Sequence, residues 1–81
     1  MTPEAIVLLQ QNIGKVIRFT CSDGEVIIAK IDLVDPLDEE LVYEMLSTTN
    51  ESKYEKFDRQ PAYLLRFSDI SSVSAVSDST L

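Results

Sequence analysis

The stretch GKVIRFTCSDGEVIIAKIDLVD, residues 14–35, sets the architecture of this chain. Two apolar runs flank Ser22-Asp23-Gly24, and an Asp-Gly pair between such runs is typical of a β-hairpin turn, because glycine adopts positive φ at no steric cost. The second run is about ten residues long, whereas strands average ~5 to 6 residues, so we expect it to bend and to pair with different neighbours at its two ends. The stretch therefore predicts a long hairpin that organises a small barrel.

The segments on either side of the hairpin predict one helix and three more strands. Thr2 suits a helix cap, Pro3 the first helical position, and Glu4 the positive end of the helix dipole. The predicted elements are a helix at about residues 3–12 and strands at about 15–21, 25–34, 41–47, 61–67 and 70–76. The polar segment 47–60 predicts a long loop or hairpin tip, in part with a brief helical turn. The fold class is mostly β: a small SH3-like barrel of five strongly bent antiparallel strands with an N-terminal α-helix, in one domain of residues 1–76 followed by a flexible tail, 77–81.

Composition narrows the classes of function. The chain has 81 residues and a formal net charge of −7, which makes binding of double-stranded DNA unfavourable. Cys21 is the only cysteine, so no intrachain disulfide forms, and we expect a cytoplasmic protein. We expect no membrane segment, because no apolar run approaches the ~20 residues that span a bilayer. A basic leader and a small-residue cleavage site are also missing from the first residues.

Catalysis and metal binding are not indicated. The chain lacks histidine and has only two glycines, so it offers neither an imidazole base nor a glycine-rich phosphate loop. We predict that it is not an enzyme and carries no cofactor. Five acidic residues cluster at the end of the second strand and in the segment after it. We interpret them as a solvated loop rather than a metal site, since the stretch lacks the central glycine of a calcium loop: Asp32, Asp35, Asp38, Glu39 and Glu40.

Two segments together resemble the motifs of the Sm and Sm-like proteins. In the first, Gly14-Lys15-Val16-Ile17-Arg18-Phe19 leads to Asp23-Gly24 and then to Asp35. The second is Leu65-Arg66-Phe67-Ser68-Asp69-Ile70-Ser71-Ser72-Val73. The resemblance implies an N-terminal helix on a bent five-stranded barrel. It also implies a homo-oligomeric ring of about five to seven subunits, in which the fourth strand of one copy pairs with the fifth strand of the next. The interface residues so implied are Tyr63, Leu65, Phe67, Ile70 and Val73.

The chain departs from the RNA-binding members of that family at the residues that contact RNA. Ala29 stands where the family usually has glycine, and the loop after Asp35 offers Glu39 and its acidic neighbours in place of a base-reading asparagine. Arg66 matches the family's arginine, but Phe67 replaces the glycine after it. The candidate ligand or RNA-binding residues are thus Asp35, Glu39 and Arg66.

Three functional hypotheses follow. The leading one is a noncatalytic Sm-like ring that serves as a scaffold or interaction module, with atypical or absent RNA binding. The alternatives are a single-stranded RNA-binding Sm-like protein and a monomeric SH3-like adaptor that binds a peptide.

A second candidate surface lies in the polar segment before the fourth strand. Two aromatic residues stand beside three cations there, and interspersed acids favour a mixed-charge protein contact over nucleic acid. The residues of this predicted interaction surface are Lys53, Tyr54, Lys56, Phe57 and Arg59. Two other tyrosines, Tyr43 and Tyr63, are predicted core or interface anchors, and Cys21 is expected to face the core.

Overall fold

The computed structural model describes residues 1–55 and 61–76. Its elements, in chain order, are α1 (Pro3–Gln11), β1 (Val16–Cys21), β2 (Val26–Asp35), β3 (Glu40–Thr48), α2 (Ser52–Glu55), β4 (Tyr63–Arg66), a 3₁₀ turn (Phe67–Asp69) and β5 (Ile70–Ala75). The strands form one antiparallel sheet in the order β4-β3-β2-β1-β5. The predicted fold class, five antiparallel strands with an N-terminal helix, is confirmed.

The helix α1 begins where the sequence signals it. The Thr2 side-chain oxygen accepts a hydrogen bond from the Ala5 N–H at 3.2 Å, which satisfies one of the unpaired donors of the first turn. At the other end, the Asn12 side chain donates to the Leu8 carbonyl at 2.7 Å. Leu9 is fully buried, so α1 contributes one anchor to the core while it packs against β5 and β2.

The strand β2 pairs with β1 along its first half and with β3 along its whole length. Its register with β3 shifts between Ile28 and Ala29 and again between Ile31 and Leu33. Such irregularities bend and twist a strand, which curls the sheet over its own core. Ala29 is fully buried at the first of these shifts.

The core lies on the concave face of the sheet. Phe19 of β1 and Tyr43 of β3 meet edge to face, with ring centroids 5.2 Å apart. The buried hydrophobic residues are Leu9, Ile17, Phe19, Cys21, Ile27, Ala29, Ile31, Val34, Leu41, Tyr43, Phe67 and Ile70. Cys21 is therefore a core residue, and burial together with the nearby Glu25 and Asp23 carboxylates raises the pKa of its thiol.

Several element bounds differ from the sequence-based expectations. The fourth strand ends at Arg66, because Phe67 starts the 3₁₀ turn and buries its ring. Glu25 belongs to the hairpin turn, where its N–H donates to the Asp23 carboxylate at 2.9 Å, so β2 begins at Val26. The helix ends one residue early, at Gln11. The predicted tail, 77–81, lies outside the described residues.

A helix needs about 20 mostly apolar residues to cross a bilayer. In residues 1–55 and 61–76, neither helix is long and apolar enough to do so.

Candidate functional site

A cavity of about 440 Å³ lies where the β2–β3 turn meets the end of β4. It is lined by Asp38, Glu39, Glu40, Arg66 and Ser68. Glu40 of β3 and Arg66 of β4 are direct cross-strand partners, and the Phe67 N–H donates to the Glu39 carbonyl at 2.8 Å. The register of these two strands thus brings Glu39 and Arg66, two of the three predicted ligand residues, to one place.

Asp35, the third predicted ligand residue, accepts hydrogen bonds from backbone groups of the same turn. Its carboxylate oxygen Oδ1 accepts hydrogen bonds from the Leu37 and Asp38 N–H groups at 3.1 and 3.2 Å. An aspartate that bonds backbone donors two and three residues on stabilises a tight turn. Asp35 is not among the residues that line the cavity.

The charge of this cavity is unbalanced. Its lining residues include three acidic residues, Asp38, Glu39 and Glu40, and one basic residue, Arg66. An excess of negative charge repels phosphate groups. Carboxylate oxygens of Asp35, Asp38 and Glu40 also lie within 4.8 Å of one another, and such an exposed acidic group needs no ion to explain it.

A second cavity, of about 330 Å³, lies beside the Asp23-Gly24 turn. Its charged and aromatic lining consists of Asp23, Glu25, Tyr43, Lys53, Tyr54 and Asp69. The Glu25 side chain is only 1% exposed. It accepts hydrogen bonds from the Lys53 ammonium group at 3.1 Å, from the Tyr54 hydroxyl at 2.7 Å and from the Thr48 hydroxyl.

The chain reaches Glu25 from β3 by a short, hydrogen-bonded connection. The backbone of Thr49 donates to the Val26 carbonyl, and its side-chain oxygen accepts from the Val26 N–H, both at 3.0 Å. This pairing holds the start of α2 beside the hairpin turn. Lys53 and Tyr54, two residues of the predicted interaction surface, therefore both donate hydrogen bonds to Glu25.

A comparison with solved structures identifies the fold. The chain is similar to the SmAP (LSm) protein from Methanococcus vannielii, whose crystal structure aligns over 90% of this chain and 96% of that chain, with a TM-score of 0.65 and 16% sequence identity. The chain has an Sm-like fold. No protein-family model and no curated protein matches the sequence. The predicted resemblance to Sm-like proteins is therefore confirmed at the level of fold.

In this Sm-like fold the predicted interface residues all contribute to the core of the protomer. Phe67 and Ile70 are buried core residues, and three further side chains pack against that core: Tyr63, Leu65 and Val73. Phe67 is absent from the lining of the cavity beside Arg66, so its ring fills the core and not that cavity.

The exposed apolar residue of β4 is Leu64, which the sequence analysis did not single out. Its side chain is on the face opposite Tyr63 and Leu65 and is 56% exposed. Strand alternation places Leu64 opposite Tyr63 and Leu65, but all three residues are apolar, so the sequence does not show which of the two faces is exposed.

Three tyrosines connect the second cavity to the core. Tyr43 stacks on Tyr63 with centroids 5.7 Å apart, and Tyr63 meets Tyr54 edge to face at 5.5 Å. Burial is the main cause that raises the pKa of Tyr43 to about 12, and a hydrogen bond with Tyr54 offsets part of this rise. Burial, followed by the hydrogen bond to Glu25, also raises the pKa of Tyr54.

Lys56, Phe57 and Arg59 of the predicted interaction surface lie outside the described residues.

The raised pKa of Tyr43 predicts a loss of stability in alkali. The pKa of Tyr43 in the folded state exceeds that of an unfolded tyrosine. Its contribution to the free energy of unfolding is therefore fully present below about pH 10 and is lost as the pH rises toward about 12. In Tyr43→Phe the free energy of unfolding should fall less steeply over this interval, by up to about 1.4 kcal/mol per pH unit. Urea unfolding at a series of alkaline pH values measures both slopes. Equal slopes in the wild type and Tyr43→Phe would contradict the assignment.

Proposed function

We propose that this chain is a noncatalytic subunit that assembles with copies of itself into a ring, which serves as a scaffold or interaction module with atypical or absent RNA binding. The observation that carries the proposal is the open sheet. Among the described residues, β4 pairs only with β3 and β5 only with β1, so each has one edge that no described strand covers. An edge strand presents free backbone donors and acceptors to another strand.

The geometry of β4 favours a second copy of the chain as its partner. Hydrogen-bonded and non-hydrogen-bonded residue pairs alternate along an antiparallel ladder. The hydrogen bond from the Phe67 N–H to the Glu39 carbonyl shows which pairs of β3 and β4 are of each kind. Leu64 and Val42 then form a non-hydrogen-bonded pair, so the backbone N–H and carbonyl groups of Leu64 point to the outer edge. Pairing β4 of one copy with β5 of the next is a head-to-tail contact, and such contacts close into rings when the rotation allows it.

The acidic cavity beside Arg66 supports the second part of the proposal. By the resemblance, the β2–β3 turn and Arg66 of this chain correspond to the base-contacting residues of Sm-like proteins that bind RNA. Here Asp38, Glu39 and Glu40 line the same cavity as the arginine, and placing a phosphate group beside three acidic residues is unfavourable. A weak or absent affinity for uridine-rich RNA is therefore expected.

The ring is tested by the mass of the protein in solution, measured by light scattering at several concentrations. The wild type should have about five to seven times the 9.1 kDa mass of the protomer. Leu64→Pro removes an outward N–H, and Leu64→Lys places a charge beside the edge, so both should lower the mass toward that of one protomer. Leu64 is a sharper probe than Leu65, which packs on the core of its own protomer.

Leu37→Lys is the matched control, since Leu37 is 94% exposed in the β2–β3 turn and belongs to neither edge strand. Its mass should equal that of the wild type. A wild-type protein that stays at 9.1 kDa at every concentration would overturn the ring and favour the monomeric peptide-binding adaptor. Tight binding of uridine-rich RNA that disappears in Arg66→Ala would instead favour the RNA-binding alternative.

A further inference from the structure

The cavity beside Glu25 has the chemistry of a cation site. Asp23, Glu25 and Asp69 are among its lining residues, and Lys53 is the one basic residue among those described. The Lys53 ammonium group contacts the carboxylates of Asp23 and Glu25, whereas no ion pair with Asp69 is present in the described residues. A second positive charge in this space would be attracted by the carboxylates that Lys53 leaves unneutralised.

The position of Lys53 shows how such a cation is held. Its Nζ atom lies 3.1 Å from the Glu25 carboxylate, 3.8 Å from that of Asp23, and 5.7 Å from the centroid of the Tyr54 ring. A carboxylate combined with an aromatic face is an arrangement that favours ammonium and guanidinium groups. The Lys53 side chain is 49% exposed, so it can leave this position for solvent at little cost.

The fixed parts of the site are held by the fold. The nearly inaccessible Glu25 carboxylate is oriented by the Thr48 and Tyr54 hydroxyls, and the Tyr54 ring is braced by Tyr63. Preorganised acceptors in a partly desolvated cavity bind a charge more strongly than mobile surface carboxylates do. The volume of about 330 Å³ is at the lower end of the range of ligand pockets and suits one side chain rather than a large molecule.

We propose that this cavity binds the basic side chain of a peptide partner, with Lys53 as an internal group that competes for the same carboxylates. The binding group is a lysine ammonium or an arginine guanidinium. The site lies beside the hairpin turn and uses neither unpaired sheet edge, so the proposal is independent of ring assembly and its failure would leave the ring unaffected.

The test is a titration followed by amide NMR, with N-acetyl-lysine amide and N-acetyl-arginine amide as probes. Both should shift the resonances around the hairpin turn and α2, whereas the neutral isostere N-acetyl-norleucine amide should not. Lys53→Ala removes the competing ammonium group and should tighten binding of the cationic probes by about tenfold, which corresponds to about 1.4 kcal/mol.

Asp69→Asn and Asp38→Asn form a matched pair, because each removes one negative charge from an exposed residue. Asp69→Asn should weaken the binding by about three- to tenfold, while Asp38→Asn, in the other cavity, should leave it at the wild-type value. The proposal is overturned if the norleucine probe shifts the same resonances equally, if both variants weaken binding alike, or if neither cationic probe binds Lys53→Ala.

Discussion

Replacing Phe19 by alanine is expected to lower the free energy of unfolding by about 3 to 5 kcal/mol. Phe19 is fully buried in the middle of β1, where its ring meets Tyr43 edge to face. The substitution removes the apolar surface of the ring and leaves a cavity that the strands around it cannot fill without bending further. A domain of this length has a total stability of about 4 to 12 kcal/mol, so the substitution should remove a large fraction of it.

Denaturation in urea measures this loss, at one fixed protein concentration because any self-association would add to the apparent stability. Leu37→Ala is the control, since that side chain is almost entirely exposed and its removal should change stability by no more than about 0.5 kcal/mol. A loss below about 1 kcal/mol in Phe19→Ala would show that the ring does not occupy the centre of the core.

Glu25→Ala is expected to lower the free energy of unfolding by about 2 to 4 kcal/mol. The Glu25 carboxylate is the common acceptor for the Thr48 hydroxyl, the Tyr54 hydroxyl and the Lys53 ammonium group. Removing it leaves partly buried donors without this acceptor. The loss of stability should be smaller than that on breaking a fully buried ion pair, because the Lys53 side chain is half exposed and its ammonium group can be hydrated when Glu25 is absent.

Two controls separate the hydrogen bonds of Glu25 from its charge. Glu25→Gln keeps the shape of the side chain and one acceptor oxygen, so its loss should be intermediate. Asp23→Asn neutralises a carboxylate that is more than half exposed and only 3.8 Å from the same ammonium group, and it should cost less than about 1 kcal/mol. A smaller loss in Glu25→Ala than in Asp23→Asn would show that the buried network does not stabilise the fold.

Much of the architecture could be predicted because it depends on local chemistry. The Asp23-Gly24 turn forms as expected, with Gly24 at φ 94°, and it sets Thr20 opposite Val26 in the hairpin. The helix start is equally local, since Thr2 caps within three residues of itself. The length of the second apolar run predicted the bend of β2, because one straight strand of that length does not fit a barrel this small.

The candidate site was predicted only in part. Arg66 and Glu39 were selected because two motifs resembled those of one family, and the β3–β4 register does bring them together. The same reasoning gave Asp35 a ligand role, although its carboxylate caps the turn, since the sequence does not show which donors an aspartate will meet. For a similar reason Leu65 is named as an interface residue, although it packs against the core of its own protomer: Tyr63, Leu64 and Leu65 are all apolar, so the pattern gives no sign of which face is covered.

The sequence by itself therefore determined the elements, the hairpin and the class of fold, because turn glycines, helix caps and apolar periodicity act within a few residues. Only the tertiary structure decided where the charged side chains meet. Glu25 is 28 residues away from Lys53, and the distance closes only because β3 returns beside β2 and the Thr49–Val26 pairing sets α2 against the hairpin turn. A glutamate beside a hairpin turn is normally exposed to solvent. Glu25 is instead a buried hydrogen-bond acceptor, because residues distant in the sequence pack over it, and no local pattern encodes that packing.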